Sequence, residues 1–138
     1  MSANQELFEF KFYEWEKKFR DNPYLRQPFG DEWEEYTWGK VGDMARRLAT
    51  GLKSLGLRDG AHIGIYSKNC REWIISDLAI VMAGYVSVPF FPSLNGKELS
   101  YIMEYGDVDA LFLGKIETWE DIKNDLPDDI CLLYTSPS

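Results

Sequence analysis

The chain is 138 residues long, 45% hydrophobic and 28% charged, a globular balance that excludes disorder and suffices for one domain with a core of its own. Its 15 Lys and Arg against 23 Asp and Glu leave a net charge of −8, which disfavours non-specific binding to nucleic acid or an anionic membrane. The length also excludes a large multidomain enzyme in complete form.

In chain order, the first predicted element is a helix over 6–21. Phe8, Phe12, Trp15 and Phe19 recur at four, three and four residues and mark one face. Asn22-Pro23 ends it, because proline disfavours the α region for the residue before it. Residues 24–37 read as a hairpin with Phe29-Gly30-Asp31-Glu32 as the turn, since glycine takes φ > 0 without a Cβ clash. Thr37 is the expected N-cap of a second helix. In that helix Val41, Met44, Ala45, Leu48, Ala49, Leu52 and Leu55 recur at three and four, with Gly56 as its C′ residue and Leu57 as the apolar contact beyond.

A short strand follows over 61–67, with Ile63 and Ile65 on one face. Asn69 is the expected cap of a helix over 70–83, with Glu72 completing a capping box. That helix is apolar nearly all round and is expected to be buried on more than one side; Gly84 ends it. A strand over 85–90, the loop Phe91-Pro92-Ser93, a helix over about 96–105 stopped by Gly106, and a strand over 110–113 come next. The last predicted element is a short helix over 118–126, capped by Thr118. Residues 61–113 therefore read β-α-β-α-β, which predicts three parallel strands flanked by helices, half of a doubly wound sheet. The fold class is α/β: an N-terminal helix and β-hairpin followed by a parallel-sheet half.

The start of the chain lacks the basic and apolar regions of a signal peptide. Its most apolar stretch, 73–86, is interrupted by Ser76 and Asp77 and is too short to span a bilayer. With two cysteines, Cys70 and Cys131, and one histidine, His62, a cytoplasmic protein without a disulfide framework or a usual zinc set is expected.

No self-sufficient catalytic constellation is legible. A dinucleotide site requires G-x-G-x-x-G after the first strand; here Ser67-Lys68-Asn69-Cys70 follows, and no G-x-x-x-x-G-K-[ST] occurs anywhere. Asn69 reads as a cap rather than an anion site. Glu34 and Glu35 point to opposite faces of a strand and cannot flank one bond. Asp128 and Asp129 read as solvated. Ser67, Ser76 and Ser87 have no His or Lys partner at a readable spacing. Cys70, although at a helix start, reads as a small buried apolar side chain rather than a reactive thiol.

Five pieces in order carry a family resemblance: Tyr36-Thr37-Trp38; Leu52-Lys53-Ser54-Leu55-Gly56-Leu57; Gly60-Ala61-His62-Ile63-Gly64-Ile65; Ser67-Lys68-Asn69-Cys70-Arg71-Glu72-Trp73; and Met82-Ala83-Gly84-Tyr85-Val86-Ser87-Val88-Pro89. Over about 8–130 the chain resembles the N-terminal region of adenylate-forming (AMP-binding) enzymes, and is most similar in wording to bacterial long-chain fatty acid–CoA ligases. The resemblance implies that 1–130 is an incomplete part of that family's N-terminal domain. It implies a parent that uses ATP, Mg2+ and CoA to turn a fatty acid into acyl-adenylate and then acyl-CoA. It leaves room for peripheral membrane association of the parent. The family's phosphate loop, ribose-holding acid and catalytic lysine have no counterpart here, so no catalytic residue and no metal ligand is carried over and the chain alone is expected to be inactive. By position, the loop Phe91, Pro92 and Ser93 is expected to lie near the channel for CoA and substrate.

The tail, Leu132-Leu133-Tyr134-Thr135-Ser136, is similar to the opening of the family's phosphate loop. Pro137 then stands where that loop has glycine, and a proline offers no amide to a phosphate. Residues 131–138, Cys-Leu-Leu-Tyr-Thr-Ser-Pro-Ser, instead match the conceptual translation of a transposase adaptor used in short-read sequencing, and are expected to be read-through from about Ile130 onward. Two other readings stand beside the ligase fragment: a stand-alone small α/β interaction module, and a single-domain nucleotide binder without catalysis. Against the latter counts the missing glycine-rich or acidic pocket after Ile65.

Overall fold

A computed structural model describes residues 3–114, 116 and 119–134 of the chain. The chain begins with helix α1 (Ala3–Lys18), strands β1 (Pro23–Phe29) and β2 (Glu32–Thr37), and helix α2 (Trp38–Lys53). Then β3 (His62–Tyr66), α3 (Arg71–Met82), β4 (Val86–Phe90), α4 (Gly96–Tyr105) and β5 (Val108–Leu113) alternate. Helix α5 (Trp119–Ile122) and strand β6 (Cys131–Tyr134) close the described chain.

Strands β1 and β2 form the expected antiparallel hairpin, Phe29 opposite Glu32 across a turn in which Gly30 sits at φ +65°. The other four strands form one parallel sheet in the order β4-β3-β5-β6. The predicted β-α-β-α-β unit is therefore present, with a fourth strand from Cys131–Tyr134. Such pairing asks only for a short apolar segment with free main-chain groups beside an open edge, a demand that an adaptor translation meets as well as a native strand.

Alternation along the strands sends the two faces of this sheet into separate cores. Ile63, Ile65, Ala110 and Phe112 face one way and pack with α2, α3 and Phe12 of α1. Tyr66, Leu111 and Leu113 face the other way and pack with Phe90, with Leu99 and Met103 of α4, and with Ile122 and Leu126. Helix α3, apolar round its circumference, buries Ile75, Leu78, Ala79, Ile80 and Val81, as a helix wedged between the sheet and α2 must.

Several helix ends differ from expectation. Helix α1 runs a few residues earlier than 6–21; Phe12 is buried, whereas Trp15 stays 46% exposed and touches Trp38 edge-on. Thr37 caps α2 as expected, its Oγ1 accepting from the N–H of Lys40 at 3.1 Å. The C-cap, however, is Ser54, and Gly56 at φ +74° lies two residues beyond it. Asn69 does not cap α3. Cys70 holds the N-cap position without a side-chain cap bond, and Oε1 of Gln27, from β1, accepts from the Arg71 N–H at 2.9 Å. Asn95 caps α4, accepting from the Glu98 N–H at 2.9 Å. At its other end Gly106 stays at φ −88° and Asp107 takes the left-handed conformation, φ +51°. Thr118 lies outside the described residues, and α5 is only the turn Trp119–Ile122.

Candidate functional site

In an open parallel sheet, ligands sit beyond the carboxyl ends of the strands. Here that end is built from residues 67–69 after β3 and 91–95 after β4. The loop after β4 is a tight turn, the Leu94 N–H closing onto the Phe91 carbonyl at 3.1 Å. Pro92 occupies its second position, where a fixed φ favours the turn. Phe91 is thrown outward, 77% exposed. Below it, the hydroxyl of Tyr66 faces the carbonyls of Leu94 at 2.7 Å and Pro92 at 3.1 Å.

Two cavities flank this turn. One, of about 340 Å³, is lined by Lys68, Asn69, Trp73, Phe90, Phe91 and Pro92. The other, of about 410 Å³, is lined by Pro92, Ser93, Leu94, Lys97, Asp121 and Asp125, between the start of α4 and the end of α5. The three loop residues singled out from the sequence thus stand on the rim between them. Apolar walls with a few polar groups are the ordinary make-up of small-molecule sites.

The amino end of the sheet is a latch. Arg58 pairs with Asp109, Nη2 to Oδ2 at 2.9 Å, and Asp109 also accepts the His62 N–H at 3.0 Å. Partial burial pushes the Asp109 carboxyl up, but Arg58 and that amide together hold it below the usual carboxylate value. His62 Nδ1 lies 2.6 Å from the Gly106 carbonyl; a carbonyl only accepts, so Nδ1 carries the proton.

The other sequence candidates find structural partners. Glu35 pairs with Arg26 at 3.0 Å, while Glu34 pairs with Arg71 and accepts from the Tyr36 hydroxyl at 3.2 Å, so the two carboxylates do diverge. Asp128 and Asp129 are exposed. Ser87 donates to Asp77 at 2.5 Å, Ser67 to the Lys68 carbonyl at 2.8 Å, and Ser76 is buried. Cys70 is half-buried rather than buried, 3.8 Å from the Ser67 hydroxyl, because a cap position lies at the rim of a helix rather than in the core. Sequence reasoning missed Tyr66. The legible signal was a tyrosine ending an apolar strand run, Ile63-Gly64-Ile65-Tyr66, since a buried phenol must find an acceptor.

The profile of the family described as AMP-binding enzyme matches residues 12–136. Long chain acyl-CoA synthetase 4 of Arabidopsis thaliana is 31% identical over 102 residues, covering 70% of this chain and 15% of the relative. A long-chain-fatty-acid–CoA ligase of Rattus norvegicus is 26% identical over 117 residues, 85% of this chain and 18% of the relative. This chain therefore spans less than a fifth of the curated relatives it matches. Among solved structures, IdnL1 aligns with a TM-score of 0.81 at 18% identity, covering 94% of this chain and 26% of that one. The anthranilate CoA ligase AuaEII in complex with anthranoyl-AMP aligns with a TM-score of 0.78 at 23% identity, covering 92% and 24%. The parallel half-sheet, the preceding helix–hairpin unit and the match over 12–136 agree: the chain belongs to the AMP-binding enzyme family.

Proposed function

We propose that the chain is part of an ATP-dependent long-chain fatty acid–CoA ligase. The observation that carries this is the naming of its curated relatives, acyl-CoA synthetases and ligases for long chains, over most of the chain's own length. In the parent reaction a fatty acid carboxylate attacks the α-phosphate of ATP, releasing pyrophosphate; the CoA thiol then attacks the acyl carbonyl, loses its proton and expels AMP. Mg2+ would offset phosphate charge in the first step. Among the described residues no group of three or more His, Cys, Asp or Glu side chains fits a metal ion, and the sequence holds no glycine-rich phosphate loop. On this reading the phosphate chemistry belongs to other parts of the parent, and the chain by itself is inactive and cytoplasmic. Among the described residues no helix is long and apolar enough to cross a membrane.

This segment's part is to support the rim Phe91-Pro92-Ser93 beside the substrate and CoA channel. Residues 131–138 are, on the same reading, adaptor-derived; resequencing the source locus checks this, and a natural stop codon after Ser138 there would refute it. The function itself is checked by acyl-CoA formation from palmitate, ATP and CoA. Turnover is expected from the full-length protein of that locus and none from the 138-residue chain; turnover by the short chain would overturn the reading. In the full-length protein, Phe91→Ala is expected to raise the KM for CoA or fatty acid, and an unchanged KM for both removes the loop from the channel.

A further inference from the structure

We infer that Tyr66 is the positioning residue of the Phe91-Pro92-Ser93 rim: its hydroxyl ties the turn after β4 to the end of β3 and so fixes the wall between the two cavities. The inference rests on the reading of that turn as a channel wall. Tyr66 ends β3 and is fully buried. Its ring belongs to the core on the α4 side of the sheet, together with Phe90, Leu99 and Leu111. From there the O–H faces two main-chain carbonyls, Leu94 at 2.7 Å and Pro92 at 3.1 Å. One proton is shared between two acceptors, the shorter contact taking the larger part.

The two acceptors bracket Ser93. The other polar anchors of the turn are local: the Leu94 N–H to the Phe91 carbonyl, the fixed φ of Pro92, and the Asn95 cap of α4. The Leu94 side chain packs on the core beneath, and the Tyr66 hydroxyl adds the directional tie from the end of β3 to the main chain of the turn. Removing it leaves two carbonyls to turn toward water and releases the direction in which Phe91 projects.

The experiment compares Tyr66→Phe and Phe91→Ala with wild type in the full-length protein of the source locus. Tyr66→Phe keeps the ring and its packing and deletes one oxygen. It is expected to raise the KM for CoA or fatty acid about fivefold, the scale of one hydrogen bond, while leaving kcat near wild type. It is also expected to speed hydrogen exchange in the peptide 91–96 without changing exchange in β3. A KM shift in Phe91→Ala but not in Tyr66→Phe overturns the positioning role and leaves the channel reading standing. No KM shift in either variant overturns both. Unchanged exchange over 91–96 overturns the inference whatever the kinetics show, and so does a joint fall of kcat and Tm, which would mark Tyr66 as a packing residue only.

Discussion

At Gly42 helices α1 and α2 meet through a single carboxylate. A Cβ built there would stand 1.3 Å from Oε2 of Glu16. Glu16 is only 7% exposed and accepts from Arg46 at 2.8 and 3.1 Å, and Arg46 also reaches Asp43 at 2.7 Å. Gly42→Ala must push that carboxylate away, losing charged hydrogen bonds worth about 1.5–3 kcal/mol against about 1 kcal/mol of helix propensity gained. A net loss of about 1 kcal/mol is expected in urea unfolding. The sign reverses in a Glu16→Ala background, where only the propensity remains. Asp109 supplies a pH test. Its folded pKa is lowered by Arg58 and the His62 amide, so its contribution is complete above the unfolded value of about 3.9 and disappears as pH falls through the lower folded value. Asp109→Asn is therefore expected to lower stability at pH 6 and to flatten the acid limb below about pH 4, read from unfolding midpoints across pH.

The hairpin is docked to α3 by two side chains on either side of the helix start. Gln27 of β1 accepts the first helical N–H, and Arg71, only 11% exposed, bridges Glu34 of β2 and Glu72 of its own helix while lying 5.1 Å over the Tyr36 ring. The helix N-terminus is thus capped from 44 residues away. The capping box expected around Asn69 and Glu72 does not form: Glu72 lies in the first turn but accepts from the Arg71 guanidinium at 2.8 Å, and the cap comes from β1. Local spacing reveals a cap supplied locally, as at Thr37, but not an acceptor delivered by another element. Gln27→Ala is expected to cost about 1 kcal/mol and to loosen the hairpin, seen as faster exchange at β1 and β2 amides with α4 unaffected.

The sheet has two edges of different character. At β4, Pro89 removes one donor from the open side, a usual protection against edge-to-edge pairing. At the other edge β6 covers β5 along Ala110–Leu113, with Leu132 and Leu133 on opposite faces joining the two cores. Ending the chain after Ile130 would bare the β5 edge. Relative to the 138-residue chain, residues 1–130 are expected to melt about 5 °C lower or more and to form larger species in size-exclusion chromatography, whatever the origin of the last residues.

Helical period, alternation and glycine placement determined the order of the elements through β5 by themselves, because each is a property of a few neighbouring residues, whereas β6 was not legible from them. The five motif pieces likewise identified the family. The rim Phe91-Pro92-Ser93 was legible as a loop by the same local logic. Only the tertiary structure decided the strand order β4-β3-β5-β6, that Gln27 caps α3, that Glu16 sits against Gly42, and that the Tyr66 hydroxyl reaches the carbonyls of Pro92 and Leu94. These contacts join residues brought together by the crossing of whole elements, where a hydroxyl or a carboxylate takes whatever partner the packing leaves within 3 Å, and no sequence spacing encodes that choice.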